Sequence, residues 1–324
     1  MGHSMTILPA VFGPALHSFP KKRQPISMEY VDDEGRQVNI FGDLYQASID
    51  RASTEQASQK LRILIPGLSS SHRSPYLAKH IQQALLSGND VLSLAMRGVL
   101  GKGRDLHHAG FTEDLHYIFN NSEFAQYEEI TLMGFSMGGL VVLNFARECT
   151  DKRLKAVATL CAPLQLSKVQ KHLDKPAQAI YRKLLFRSLK TAYQQVWNNA
   201  LASPYPLKSD LGKVLASKTF AEWDQNVVIS RFPFTSIQEY HQQVSISHQD
   251  LESLSCPSYL LFNQADPMVR IKDIGVTAGP MNEHCIIHFA AKGGHLGFNP
   301  RVDLGFKSKL GVSTQLNSWF EQVI

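Results

Sequence analysis

The stretch Glu129-Ile-Thr-Leu-Met-Gly-Phe-Ser-Met-Gly-Gly-Leu-Val-Val-Leu143 constrains this chain most. An apolar run reads as a buried strand, a short turn carries Ser136 between Gly134 and Gly138, and a helical pattern follows. A turn that sharp brings the strand and helix backbones nearly into contact, so only small residues fit two before and two after the serine. The serine itself is forced into an unfavourable backbone conformation, with its hydroxyl clear of the sheet edge. The helix that follows aims its N-terminal amides at the same place, where negative charge is stabilised. Strand, Gly-x-Ser-x-Gly and helix in this order describe a serine presented for nucleophilic attack. As a bare five-residue pattern it also fits a glycine-rich turn with a bystander serine.

The surroundings of that stretch repeat its rhythm. Residues 26–32 and 36–46 alternate about Asp32-Asp33-Glu34-Gly35 and predict a β-hairpin. Residues 51–60 read as a polar loop, Leu61–Ile65 as a strand, Pro75–Ser87 as a helix and Asp90–Ala95 as a strand. Residues 111–121 read as a helix, 129–133 as the strand before Ser136, 137 to about 149 as a helix, and Leu154–Leu160 as a strand. Strands alternating with helices at this spacing imply a parallel sheet. The rhythm breaks over 164–250, where helical patches run from Lys168 to Asn199. It resumes with Ser258–Phe262, Cys285–Ala290 and a closing amphipathic helix, Val312–Val323. The expected organisation is a core of residues 1–163 and 251–324 with a helical lid, 164–250, over the ligand-binding edge of the sheet. A packing insertion of no catalytic importance fits the same pattern. Within it, Ile180, Leu184, Leu185, Leu189, Ala192 and Val196 predict a buried helix face. Lys171, Lys175, Arg182, Lys183, Arg187 and Lys190 form a basic face, read either as solvated or as able to touch an anionic lipid surface.

A serine hydroxyl needs a base within hydrogen-bond reach, and the base needs an orienting carboxylate. In a strand-turn-helix frame of this kind the chain order is nucleophile, acid, histidine. Asn263-Gln-Ala-Asp266 follows the first strand after the insertion, and Gly293-Gly-His295 follows the last strand. Taken singly, Asp266 is a turn residue before a proline and His295 is one histidine among 13. Jointly, Ser136, Asp266 and His295 supply the three types in the required order. Asp273 and Glu283 are less well placed acids. His107, His108 and His288 are less well placed bases, with His288 expected inside a strand. Two main-chain donors are needed for a developing oxyanion, and the Met137 and Leu68 amides are the candidates, the latter from Pro66-Gly67-Leu68.

Composition narrows the classes further. A chain of 324 residues with 44% hydrophobic and 19% charged residues suits a large soluble α/β domain. A net charge of +5, without a long basic run interleaved with aromatics, gives no case for nucleic acid. Cys149, Cys161, Cys256 and Cys285 lie far apart without metal-ligand spacing. They are expected as buried free thiols in a reducing, cytoplasmic setting. No apolar run is long enough to span a bilayer. The segment Met5–Phe19 is broken by Pro9 and Pro14 and precedes its basic residues, the wrong order for a secretory signal. Met1-Gly-His-Ser-Met5 reads as an expression remnant before a native Met5. No metal or organic cofactor is expected.

With these residues in hand, the sequence resembles the α/β-hydrolases, in particular their YheT-like branch of hydrolases and esterases. The resemblance covers most of the chain. It runs through Thr6-Ile-Leu-Pro9, Pro66-Gly-Leu, Arg97-Gly98, His108-Ala-Gly-Phe-Thr-Glu-Asp-Leu115, Gly134–Gly139, Phe220–Asp224, Asn263–Asp266 and Gly293–Phe298. It implies an α/β-hydrolase fold with an eight-stranded, mostly parallel sheet, a helical lid inserted after the sixth strand, and Ser136-Asp266-His295 as the triad. Two positions depart from the pattern: Pro66-Gly67 stands where relatives usually have His-Gly, and Ser70 where they tend to have glycine. The expected activity is hydrolysis of a small-molecule or lipid-like carboxylic ester. The same triad would also serve acyl transfer, or thioester, amide or lipid cleavage, and a non-catalytic binding homologue is the alternative of another class.

Overall fold

The computed structural model describes residues 19–47 and 58–324. The reading of Met1–Met5, most of the N-terminal segment including Thr6–Pro9, and residues 51–57 of the polar loop lie outside them. Among the described residues, nine strands form one sheet in the order β1-β2-β4-β3-β5-β6-β7-β9-β8. They are β1 (Gln24–Val31), β2 (Gln37–Tyr45), β3 (Lys60–Ile65), β4 (Asp90–Ala95), β5 (Glu129–Phe135), β6 (Leu154–Leu160), β7 (Ser258–Asn263), β8 (Gly279–Pro280) and β9 (Cys285–Ala290). The central strands β4, β3, β5, β6, β7 and β9 are mutually parallel. The hairpin β1–β2 joins antiparallel at one edge, and β8 at the other. The expected eight strands are therefore nine. The extra one is a two-residue pairing, Gly279 with Ile287 and Pro280 with Ile286, too short to leave an apolar period in the sequence.

Strands covered on both faces must be apolar at nearly every position, and all six residues of β4 and of β7 are buried. Alternate side chains feed two separate cores. Ile63, Ile65, Leu132, Val157 and Leu260 pack on one face with α2 (Glu113–Asn120) and α3 (Met137–Glu148). Leu64, Met133, Ala158 and Leu261 pack on the other with α1 (Leu77–Leu86) and the C-terminal helix Val312–Val323. Every parallel strand thus points its C-terminal end at the same edge, where loops from β3, β5, β6, β7 and β9 meet.

Between β6 and β7 lie helices including α4 (Leu166–Leu173), α5 (Ala179–Ala200) and α6 (Ile237–Val244). This segment has its own apolar cluster, in which Phe186, Tyr193, Val196, Phe220 and Trp223 pack with Leu106 of the core. The face of α5 differs from the predicted one. Leu189 and Val196 are buried, but Ile180 is 62% and Leu184 40% exposed. Tyr181, Phe186, Tyr193 and Ala200 complete the inward stripe. The aromatic side chains, larger than the leucines, turned the helix by about one position relative to the aliphatic reading. An ion-pair network fastens this segment to the core. Asp105 accepts from Arg231 Nε (2.5 Å) and from Arg97 Nη1 (2.8 Å), and Arg97 Nη2 also reaches Asp114 (2.7 Å) and the Tyr30 hydroxyl (2.5 Å). That accounts structurally for Arg97-Gly98 and for Asp114 within the His108–Leu115 stretch. The four cysteines are free; three are buried and Cys149 is half-buried rather than buried. Among the described residues, no helix is long and apolar enough to cross a membrane.

Candidate active site

Ser136 joins β5 to α3 with φ 51° and ψ −122°, a region an L-residue enters only under constraint. The constraint is the glycines on either side. A Cβ on Gly134 would stand 2.4 Å from the Gly138 carbonyl oxygen. One on Gly138 would stand 2.3 Å from the carbonyl oxygens of both Ile65 and Pro66. The helix can start there only because neither residue has a side chain.

His295 sits in the loop after β9. Gly294 N–H donates to Gly297 O (2.7 Å) and a bridge pairs Gly293 with Phe298, folding the loop back on itself. Gly293 has φ 151°, and a Cβ on it would overlap the Asn263 side chain, which donates from Nδ2 to Lys292 O (3.0 Å). Asn263 thus ties the end of β7 to the histidine loop. Asp266 lies three residues further on, 4% exposed, its Oδ1 accepting from the amides of Met268 (2.8 Å) and Val269 (2.9 Å). Its Oδ2 is 2.8 Å from His295 Nδ1, and His295 Nε2 is 2.9 Å from Ser136 Oγ. An ionised carboxylate only accepts, so the proton belongs on Nδ1 and Nε2 is left to accept from the serine hydroxyl. Three side chains separated by up to 159 positions in sequence form one hydrogen-bonded chain.

Leu68 and Met137 line the same cavity as Ser136 and His295. Met137 opens α3, and as the first residue of the helix its amide has no carbonyl one turn back within the helix to donate to. The loop holding Leu68 is closed by Ser70 N–H donating to Gly67 O (3.0 Å), and is pinned by Gly67 N–H donating to the Tyr76 hydroxyl (3.0 Å). Gly67 lies directly against the serine, where a Cβ would be 3.1 Å from Ser136 Cβ. Pro66 and Ser70, the two departures from the relatives' pattern, are thus accommodated in a turn that still brings Leu68 to the cavity.

The other candidates are elsewhere. Asp273 pairs with Arg270 (2.5 Å). Glu283 is exposed beside His284. His288 is within β9, and burial lowers its basicity. His107 and His108 line the cavity but outside the serine–histidine–aspartate chain. His107 Nδ1 contacts Arg97 O (2.5 Å), and His108 stands edge-on among Phe111, Phe232, Phe234 and Tyr240. Burial pushes the His108 imidazole down to about 3, so it is neutral.

Two neighbours had no distinct signal in the sequence. Cys161, directly after β6 with φ 54°, brings its sulfur to the acid: donor atoms of Cys161, Asp266 and His295 all lie within 4.8 Å of one another. Burial, reinforced by the Asp266 charge, pushes the thiol well up. It is a neutral thiol beside the carboxylate. Among the described residues this is the grouping whose N, O and S atoms approach closely enough to hold a cation. The hydrogen bond between His295 and Asp266 already takes up two of its three donors. The second neighbour is His80, which packs edge-on against Phe135 and borders the cavity.

The cavity itself has a volume of about 1070 Å³ and runs from Ser136 under α4 and α5. Its walls are mainly aliphatic and aromatic, among them Leu68, Val169, Leu185, Phe220, Trp223 and Val269. A serine hydroxyl hydrogen-bonded to an imidazole, a buried carboxylate and two candidate amide donors therefore open on a volume suited to an apolar ligand.

Comparison with known proteins agrees with this architecture. Human phospholipase ABHD3 is 23% identical over 271 residues, 82% of this chain and 64% of that protein. The monoacylglycerol lipase of Saccharomyces cerevisiae is 20% identical over 299 residues, 88% of this chain and 65% of that protein. The chain spans just under two thirds of the length of these relatives. Among solved structures, a 2,6-dihydroxy-pseudo-oxynicotine hydrolase superposes with a TM-score of 0.55 at 17% identity, covering 92% of this chain and 68% of that one. A thermophilic esterase from Thermogutta terrifontis gives 0.50 at 13% identity, covering 84% and 92%. At these identities the structural likeness shows the fold. The family model described as the alpha/beta hydrolase family matches residues 63–302, nearly three quarters of the sequence and all three members of the hydrogen-bonded chain, and the protein belongs to that family.

Proposed function

We propose that this protein is a serine hydrolase of carboxylic esters with lipid-like acyl chains, working through an acyl-enzyme. The observation that carries the reading is the chain Ser136 Oγ, His295 Nε2, His295 Nδ1, Asp266 Oδ2, with links of 2.9 and 2.8 Å, at the floor of an apolar cavity. Ser136 attacks the acyl carbonyl as its proton passes to His295 Nε2. The imidazolium, held by Asp266, then protonates the leaving alcohol. The Leu68 and Met137 amides receive the oxyanion. Water, deprotonated by His295, releases the acid and restores the serine. Residues 164–250 act as the lid that shapes the cavity and excludes water. The relatives named phospholipase and monoacylglycerol lipase support an ester of this kind. Within the family, Arg97-Gly98 and His108–Leu115 favour the YheT-like branch.

The lid also favours contact with a lipid surface. Ile180 and Leu184 are exposed beside Lys183 and Arg187, Leu184 and Arg187 rim the cavity, and α5 contains no acidic residue. Sedimentation with anionic vesicles at low salt tests this, and Leu184→Glu should abolish it. Transfer to an alcohol, or cleavage of a thioester or amide, would use the same residues. The chemistry itself is tested by labelling with a fluorophosphonate probe and by hydrolysis of nitrophenyl esters of graded acyl length. Wild type should label and turn over, and Ser136→Ala should do neither. Equal, slow hydrolysis by both proteins would return the chain to a non-catalytic binding role.

A further inference from the structure

The cavity has a second polar point, on the lid side. Among the described residues that line it, Asp224 is the sole carboxylate. It is 9% exposed, on a wall made largely of apolar side chains. Such a group is costly to bury unless its acceptor positions are used. One is: Asp224 Oδ2 lies 2.9 Å from Nε2 of buried His241 on α6. The other oxygen, Oδ1, takes no protein donor among the described residues.

The surroundings leave that oxygen for a ligand. The Tyr240 hydroxyl oxygen accepts from the Ala109 amide (3.1 Å) and the hydroxyl makes no hydrogen bond to Asp224, while the Asp174 carboxylate accepts from the amides of Phe220 (2.7 Å) and Ala221 (3.1 Å). The backbone is also special here. Asp224–Val228 is a π-turn, the local widening often found where a helix aims a functional side chain. A lid staple alone would be served by an aspartate turned wholly away from the cavity. Asp224 instead shares the cavity wall with Ser136.

We propose that Asp224, held by His241, is a subsite that accepts a hydrogen bond from a substrate hydroxyl remote from the scissile ester. The site would thereby favour hydroxylated acyl esters over their hydrocarbon counterparts. This rests on reading the cavity as the acyl-binding site. A hydroxyl is the donor chosen because it surrenders less hydration than an ammonium on entering an apolar cavity. A site built to bond a hydroxyl discriminates against the analogue lacking it, because its own buried acceptor is then left unpaired.

The test uses the full chain as Ser136→Ala, so that binding is read without turnover. Displacement of the apolar dye N-phenyl-1-naphthylamine is measured with methyl decanoate, with a series carrying one hydroxyl walked along the acyl chain, and with the terminal ammonium analogue. At one hydroxyl position the affinity should exceed that for methyl decanoate by roughly ten-fold, the scale of a hydrogen bond to a charged group. Asp224→Asn should lose most of that preference. Asp224→Leu combined with His241→Phe, which removes both partners and orphans neither, should reverse it while methyl decanoate binds as before. No preference at any position, or a preference surviving in the double variant, overturns the proposal; tighter binding of the ammonium overturns the choice of a hydroxyl. Wild-type hydrolysis of the same esters reads the nucleophile separately. If none is cleaved while the Ser136→Ala protein still selects the hydroxyl, the catalytic reading fails and the subsite stands.

Discussion

Gly67→Ala separates a fault in the reacting geometry from a fault in the fold. A methyl at Gly67 would stand 3.1 Å from Ser136 Cβ and 3.3 Å from Phe135 O, about 0.3 Å short of ordinary contact with the serine at 3.4 Å. Gly67 has no left-handed backbone to lose, so the change is conformationally allowed. It also removes unfolded-state entropy, an effect of about 0.4–1 kcal/mol in favour of folding. The close contact offsets that, and the melting temperature should stay within about 2 °C. The active geometry has no such compensation. The methyl drives the Leu68 loop and Ser136 apart, and in the proposed mechanism both must meet one carbonyl. Full loss of an oxyanion donor costs about 10²–10³ in kcat, and a misplacement of 1 Å about 10². A displacement of about 0.3 Å should therefore cost roughly ten-fold, in kcat on nitrophenyl butyrate and in the rate of fluorophosphonate labelling alike. Gly138→Ala is the contrast. Its methyl would lie 2.3 Å from two backbone carbonyl oxygens, so the helix itself must move, and stability should fall by about 1–3 kcal/mol along with activity. Wild-type turnover by a folded Gly67→Ala protein would refute the idea that this loop faces the reacting carbonyl.

Three further outcomes follow from the same geometry. Asp266→Asn keeps an acceptor for the Met268 and Val269 amides but offers His295 Nδ1 a donor or a weaker acceptor. It should lower kcat by about 10⁴ with little change in melting temperature, and a loss below ten-fold would remove Asp266 from the proposed chemistry. Burial pushes His80 down to about 3. The unfolded chain therefore binds the extra proton below about pH 6.5, and the stability held above that pH is lost progressively between 6.5 and 3. Urea titrations should show wild type losing about 2 kcal/mol more than His80→Gln between pH 7 and pH 5, and equal losses would contradict the burial argument. Ser136→Gly should be more stable than Ser136→Ala by about 1 kcal/mol, since glycine relieves a strain of about 1–3 kcal/mol against an entropic penalty of about 0.4–1. An alanine variant as stable as the glycine one would mean that φ 51° carries no strain.

What the sequence made legible was whatever the backbone alone dictates. The strands Asp90–Ala95 and Leu154–Leu160 coincide with their apolar runs, because a strand buried on both faces has no choice of composition. Ser136, Asp266 and His295 were legible as positions after particular strands, and their meeting follows from strands that run parallel to one edge. The rotation of α5 was not, because Tyr181, Phe186 and Tyr193 count as weakly periodic by type and yet outweigh Ile180 and Leu184 by area. Cys161 and Asp224 were not, since their neighbours come from β7, β9 and α6, far away in sequence. The stretch Phe220–Asp224 drew notice by resemblance, but no pattern within it told which face of the segment meets the cavity.

The backbone at this edge ties these observations together. Among the described residues, the non-glycine positions with positive φ are Ser69 (60°), Ser136 (51°), Cys161 (54°) and Leu296 (58°). Each follows a parallel strand, β3, β5, β6 or β9, and each is in or next to a residue of the proposed chemistry: the Leu68 loop, the nucleophile, the thiol beside Asp266, and His295. Conformations of this kind cost of order 1–3 kcal/mol apiece and persist only where the surroundings over-determine them. Here the over-determining element is the sheet. Ser136 N–H donates to Leu160 O (2.7 Å) and Cys161 N–H to Leu261 O (2.8 Å), so the ladder continues through two of the strained residues. Strand pairing therefore fixes the spacing of the strained turns, and the turns aim the side chains. A substitution deep in β6 or β7 that shifts register should then disturb the chain from Ser136 to Asp266 even where it touches none of its members.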